Sequence, residues 1–205
     1  MLVDQSLADF TSAAAAKQPT PGGGAIAAAL LALGASMGEM AARYSEGRDG
    51  AEAVPDEIAA LATLRARGLA LVDADAEVFA GVGAAYAMPR DDDEQKALRK
   101  AAIKAALGTA LGPPREACAL ALEGLDLLQS LETHANPNLI SDVGVAAYAL
   151  GAAARSAWLN VLVNIRGIDK GAPRDAALAE GATLLADVAR LEQEVGEKIV
   201  ARITP

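Results

Sequence analysis

An all-helical fold is what this sequence predicts, and three observations predict it. Ala and Leu dominate the chain while aromatic residues make up only 3% of it. No segment shows a sustained period-two alternation of Val, Ile or Thr, so no strand is expected. Gly and Pro breakers fall between long stretches of good helix formers, without a low-complexity linker or a sequence repeat. With 205 residues and 53% hydrophobic content, the chain can bury one sizeable core, and a single helical bundle over residues 1–205 is the expected architecture.

The elements follow in order. A first helix runs from about Ser6, a suitable N-cap, to Lys17. The breaker "QPTPGGG" ends it, and a second helix spans about Ala25 to Ser45, where Gly34 and Gly38 permit close helix contact. "EGRDG" makes a loop, Pro55 suits the first turn of a third helix of about thirty residues, and "MPRDDDE" ends that helix and caps a fourth. "LGPPREA" separates the fourth helix from a fifth over Arg115 to His134. "ANPNLISD" leads into a sixth that reaches Arg166, and an amphipathic seventh follows Pro173.

Composition excludes several functions. A net charge of −9 argues against a nucleic-acid surface, which needs clustered Lys and Arg. One cysteine, Cys118, and one histidine, His134, make a zinc site an unsuitable reading and fit a reducing cytoplasm. The N-terminus lacks the pattern of a signal peptide, and the uncharged stretch from Gln18 to Gly38 reads as a buried helix, not a membrane span. Cys118 reads as a small buried hydrophobe, His134 as a surface or capping residue, and the acidic run after Pro89 as a solvated helix start. The triple glycine matches neither common phosphate-loop pattern and follows no strand.

Two helices carry candidate chemistry. On the third, a core-facing stripe runs through Gly68, Val72, Asp75, Phe79, Val82 and Tyr86, so one member is a carboxylate. At about 100° per residue, Asp73 and Glu77 fall on the opposite, solvated face. Burial should raise the Asp75 pKa or demand a cationic partner, and either suits an acid or base; a buried Asp that caps or pairs with a neighbour fits the pattern equally well. On the sixth helix, Asp142, Ala149, Ala153, Ser156, Asn160 and Asn164 project within about 40° of one direction. Such a face lines either a hydrogen-bonding pocket or a helix contact crosslinked by amides. Asn138 and Ser141 stand where capping residues are expected ahead of that helix.

"PTPGGGAIAAALLALGASMGEM", "LVDADAEVF" and "NPNLISDVGVAAYALGAAARSAWLNVLVNI", in that order, resemble the formiminotransferase-cyclodeaminase C-terminal family, which includes stand-alone methenyltetrahydrofolate cyclohydrolases. The likeness covers nearly the whole chain. It implies an all-helical homodimer that binds a tetrahydrofolate derivative and uses no metal or other cofactor. By position it implies a catalytic role for Asp75 and substrate contacts from Gly22, Gly23, Gly24, Asn138, Ser141, Asp142, Asn160 and Asn164. The expected reaction is hydrolysis of 5,10-methenyltetrahydrofolate. Cyclodeamination of formiminotetrahydrofolate is the alternative, and a binding protein that retains only the fold is a third reading. Where the resemblance implies a lysine-rich run after the second helix, this chain carries Arg43, Tyr44 and Arg48.

Overall fold

The computed structural model describes residues 1–167 and 170–205. Seven α-helices account for most of them, with no strand among the described residues: α1 (Leu7–Ala15), α2 (Gly23–Arg43), α3 (Val54–Ala87), α4 (Asp93–Thr109), α5 (Gly112–Leu131), α6 (Ile140–Ile165) and α7 (Ala172–Ile203). Short 3-10 turns, Leu2–Asp4 and Pro137–Leu139, precede α1 and α6. Ser6 caps α1 by accepting from Asp9 N–H, and Asp92 caps α4 by accepting from Gln95 N–H.

The breakers sit inside helix starts more often than the sequence suggests. Gly23 and Gly24 belong to the first turn of α2, and Gly112, Pro113 and Pro114 to that of α5. A first turn has no intrahelical N–H partners to lose, so Gly and Pro cost little there. Ahead of α6 the capping side chain is Asn136, which accepts from Asn138 N–H; neither Asn138 nor Ser141 caps, contrary to expectation.

The core lies between α2, α3, α5, α6 and α7. Leu31, Leu61, Leu64, Leu125, Leu128, Leu150 and Leu191 are almost fully buried in it. Small residues on α2 let its neighbours approach. A Cβ on Gly34 would lie 2.9 Å from Leu150 Cγ, and one on Gly68 would lie 2.9 Å from the Ala32 backbone nitrogen, so α2 meets α6 and α3 nearly backbone to side chain. By length and composition α2 could also cross a membrane, but 61% of that apolar window is buried inside the protein. On α7, Val188, Leu191, Val195 and Ile199 form the buried stripe of an amphipathic helix.

Buried and half-buried polar groups tie distant elements together. Glu39 on α2 accepts from Arg43 and Arg65; burial alone would raise its pKa, but the two guanidinium groups outweigh it and hold the carboxyl below its ordinary range. Glu57, 4% exposed, accepts from Ser130 Oγ at 2.7 Å and lies 2.9 Å from His134 Nε2. His134 is therefore a largely buried link between the end of α5 and the start of α3, not the surface or capping residue expected. Asp73 is likewise half-buried, and its Oδ1 accepts from Leu2 N–H at 2.6 Å, which ties the N-terminal turn to α3.

Candidate active site

Asp75 lies midway along α3, opposite the start of α2, and the two helices meet there closely enough that only glycine fits. A Cβ built on Gly24 would collide with the Asp75 carboxyl group. None of Gly22, Gly23 or Gly24 has positive φ, so the glycines provide close approach, not a left-handed turn. Asp75 is half-buried, and loss of hydration raises its pKa above the ordinary 3.8; the Ala25 backbone N–H at the α2 N-terminus offsets part of that rise.

The far wall of the cleft comes from the end of α6. Asn160 Nδ2 donates to Ser156 O at 3.0 Å, and its amide lies in contact range of Gly23, 3.4 Å from where a Cβ would be. Asn164 Nδ2 donates to Ala110 O at 2.8 Å and so anchors the end of α4 to α6. The resulting cleft, about 100 Å³, is lined by Pro19, the three glycines, Asp75, Val78, Phe79, Ala110, Asn160, Val163 and Asn164. A carboxylate, the amides of a helix start and two carboxamides together can hold a cationic or tautomeric heterocycle edge and exchange a proton with it.

Two expectations require correction. Phe79 and Tyr86 share the α3 stripe with buried Val72 and Val82 yet are exposed. Asn138, Ser141 and Asp142 are at the opposite end of α6 from the cleft: Asp142 and Asn160 share a helix direction, but an offset of eighteen positions separates them by about 27 Å. Near them lies the end of α2, held by Asn136 Nδ2 donating to Tyr44 O at 3.1 Å.

A cation cluster that sequence reasoning missed lies at the other end of the α3–α4 hairpin. Arg90, Lys96, Arg99, Lys100 and Ile103 line a cavity of about 290 Å³, and Arg99 Nη2 donates to Tyr86 O at 3.0 Å while its guanidinium stacks over the Tyr86 ring. Along α3, Tyr86 is eleven residues from Asp75, or roughly 16 Å. Its signal in the sequence was the basic spacing within "KALRKAAIK", masked by the acids just before it.

Fold and cleft together define an all-helical protein in which a cleft sets a half-buried carboxylate against a helix N-terminus and two carboxamides. The family model described as formiminotransferase-cyclodeaminase matches residues 6–182, and the chain belongs to that family. It is 33% identical over 207 residues to a methenyltetrahydrofolate cyclohydrolase of Methylorubrum extorquens, a match covering 99% of this chain and 100% of that one. It is 32% identical to the formimidoyltransferase-cyclodeaminase of Rattus norvegicus, covering 80% of this chain and 31% of that much longer protein. In fold it resembles formiminotetrahydrofolate cyclodeaminase of Thermotoga maritima, with a TM-score of 0.78 at 23% identity over 99% of this chain and 98% of that one.

Proposed function

We propose that the chain hydrolyses 5,10-methenyltetrahydrofolate to 10-formyltetrahydrofolate, as one cytoplasmic domain that pairs into a homodimer. The observation that carries this reading is the Asp75 carboxylate held against the start of α2, in a chain that aligns end to end with a cyclohydrolase.

The substrate presents a cationic amidinium carbon between N5 and N10. Asp75 in its ionised form stabilises that cation and takes a proton from the attacking water. The hydroxyl adds to the carbon, and a tetrahedral centre forms. As the bond from carbon to N5 breaks, Asp75 returns its proton to N5, and the hydroxyl proton leaves to solvent as the formyl carbonyl forms on N10. The net products are 10-formyltetrahydrofolate and one proton. Asn160 and Asn164 orient the pterin edge and the water, and Gly22, Gly23 and Gly24 let the backbone approach the ring. The cations around Lys100 receive the glutamyl carboxylates.

Cyclodeamination is the second reading, favoured by the likeness to the rat protein. There N10 attacks the formimino carbon and ammonia leaves, through the same tetrahedral carbon. Purified protein incubated with each substrate separates the two by absorbance: a cyclohydrolase consumes the methenyl chromophore and a cyclodeaminase generates it. Turnover of neither, without folate binding, refutes both.

A further inference from the structure

The lip of the Asp75 cleft belongs to a segment that the core barely holds. Pro19 lines the cleft with the three glycines, and its carbonyl oxygen packs on Gly22, 3.6 Å from where a Cβ would be. Upstream, none of residues 1–20 is buried; Leu2, Val3 and Phe10 rest only partly covered against the core. Between α1 and the α2–α3 pair runs a groove of about 410 Å³, lined by Leu7, Phe10, Leu33 and Leu69 among others. Close packing therefore does not fix where α1 sits.

Polar contacts are as sparse. Among the described residues, every hydrogen bond of residues 1–21 stays inside that segment, as Gln18 Nε2 donating to Ala13 O does, with one exception: Leu2 N–H donates to Asp73 Oδ1 at 2.6 Å. At the far end, Ala25 N–H donates to the Asp75 carboxylate. Asp73 and Asp75 are two residues apart in "LVDADAEVF" and stand on opposite flanks of α3. Residues 2–25 thus form a strap fastened at both ends to one turn of α3. The nine-residue α1, a stiff rod of about 13 Å, carries the placement of the first end toward the second.

We infer that Asp73 is a positioning residue for the active site: by holding Leu2 N–H it seats the strap, and the seated strap sets Pro19 as the lip over the bound heterocycle. This rests on the folate reading for what lies beneath the lip. Asp75, the glycines of α2 and the carboxamides of α6 stand on helices packed in the core, so releasing the strap leaves the reacting groups in place. The loss falls on binding. Only the latched fraction of molecules presents the full cleft, and apparent affinity drops in proportion to that fraction. The role needs an acceptor oxygen and not a charge, so a carboxamide can fill it and a methyl group cannot.

Amide hydrogen exchange and steady-state kinetics together test this. A helix of nine residues does not persist unaided, so protection of the α1 amides reports the seated strap without any folate. Asp73→Ala is expected to exchange those amides at least about fivefold faster, and to raise KM for methenyltetrahydrofolate about three- to tenfold with kcat within about twofold of wild type. Asp73→Asn is expected to restore both readouts to within about twofold of wild type. Leu2→Pro, which removes the donor and leaves α3 untouched, is expected to match Asp73→Ala, and the double variant to be no worse than either. Unchanged exchange in Asp73→Ala overturns the latch. Faster exchange with an unchanged KM, a kcat loss above about tenfold, or failure of Asp73→Asn to rescue overturns the positioning role. Each of these leaves the folate reading intact. A wild type that turns over no folate refutes that reading and with it the role of the lip, leaving only the latch that exchange reports.

Discussion

Replacing Gly24 by Ala tests how tightly the start of α2 holds the carboxylate. A Cβ there would overlap Asp75 Cγ and both carboxyl oxygens, the farther of them at 2.7 Å where ordinary contact begins at 3.4 Å. Even that oxygen must retreat by 0.7 Å, and the nearer atoms by about 1 Å or more. A misplacement of about 1 Å at a reacting group costs on the order of 100-fold in rate. The side chain can swing outward, so the stability cost is expected at the low end of the range for overpacking, about 1 kcal/mol. Gly34→Ala provides the contrast: its Cβ would press on Leu150 Cγ at 2.9 Å and Ala146 O at 3.2 Å, far from the cleft. It should cost about 1–3 kcal/mol, lowering Tm by about 2–4 °C per kcal/mol, with kcat/KM within about twofold of wild type. The assay is kcat/KM from loss of methenyl absorbance, paired with thermal unfolding of both variants. A folded Gly24→Ala protein within about threefold of wild-type activity would refute the claim that this contact positions the base.

Three further outcomes follow from the same structure. Because burial raises the folded-state pKa of Asp75, its ionised form is a stability cost that is absent below the ordinary 3.8 and develops as pH rises through the folded value; Asp75→Asn should therefore have a higher Tm than wild type at pH 7 and no advantage below about pH 3.8. Burial pushes the Cys118 thiol up to about 12 and its Sγ donates to Ala154 O at 3.3 Å, so native protein at pH 8 should resist a maleimide that labels the denatured chain rapidly; equal labelling rates would contradict the burial. Lys100→Ala should raise KM for polyglutamylated substrate by about two- to fivefold, the scale of one or two exposed charge contacts, and the rise should vanish at high salt; a salt-independent rise would remove the cation cluster from substrate binding.

Which parts of this were legible beforehand has a physical explanation. Helices were readable because Ala and Leu carry high propensity and Gly and Pro mark their ends, although α2 and α5 begin inside their breakers, where a first turn tolerates both residues. Asp75 was readable because a single carboxylate interrupts an apolar period. The exposure of Phe79 and Tyr86 was not, since periodicity tells which residues share a face and not what covers it. His134 found its partner in Glu57, 77 residues away, a contact no local pattern encodes. Asp142 and Asn160 illustrate the sharpest limit: a helical projection keeps direction and discards distance along the axis, so it joined residues that one copy holds at opposite ends of α6.

The central claim is that Asp75 performs the proton transfers of methenyltetrahydrofolate hydrolysis. Single-turnover loss of methenyl absorbance, followed with wild type and Asp75→Asn in excess over substrate, tests it most directly. The account predicts rapid decay with wild type and decay at least about 100-fold slower with Asp75→Asn, both proteins being folded and binding the substrate. Equal decay rates for the two proteins would contradict it.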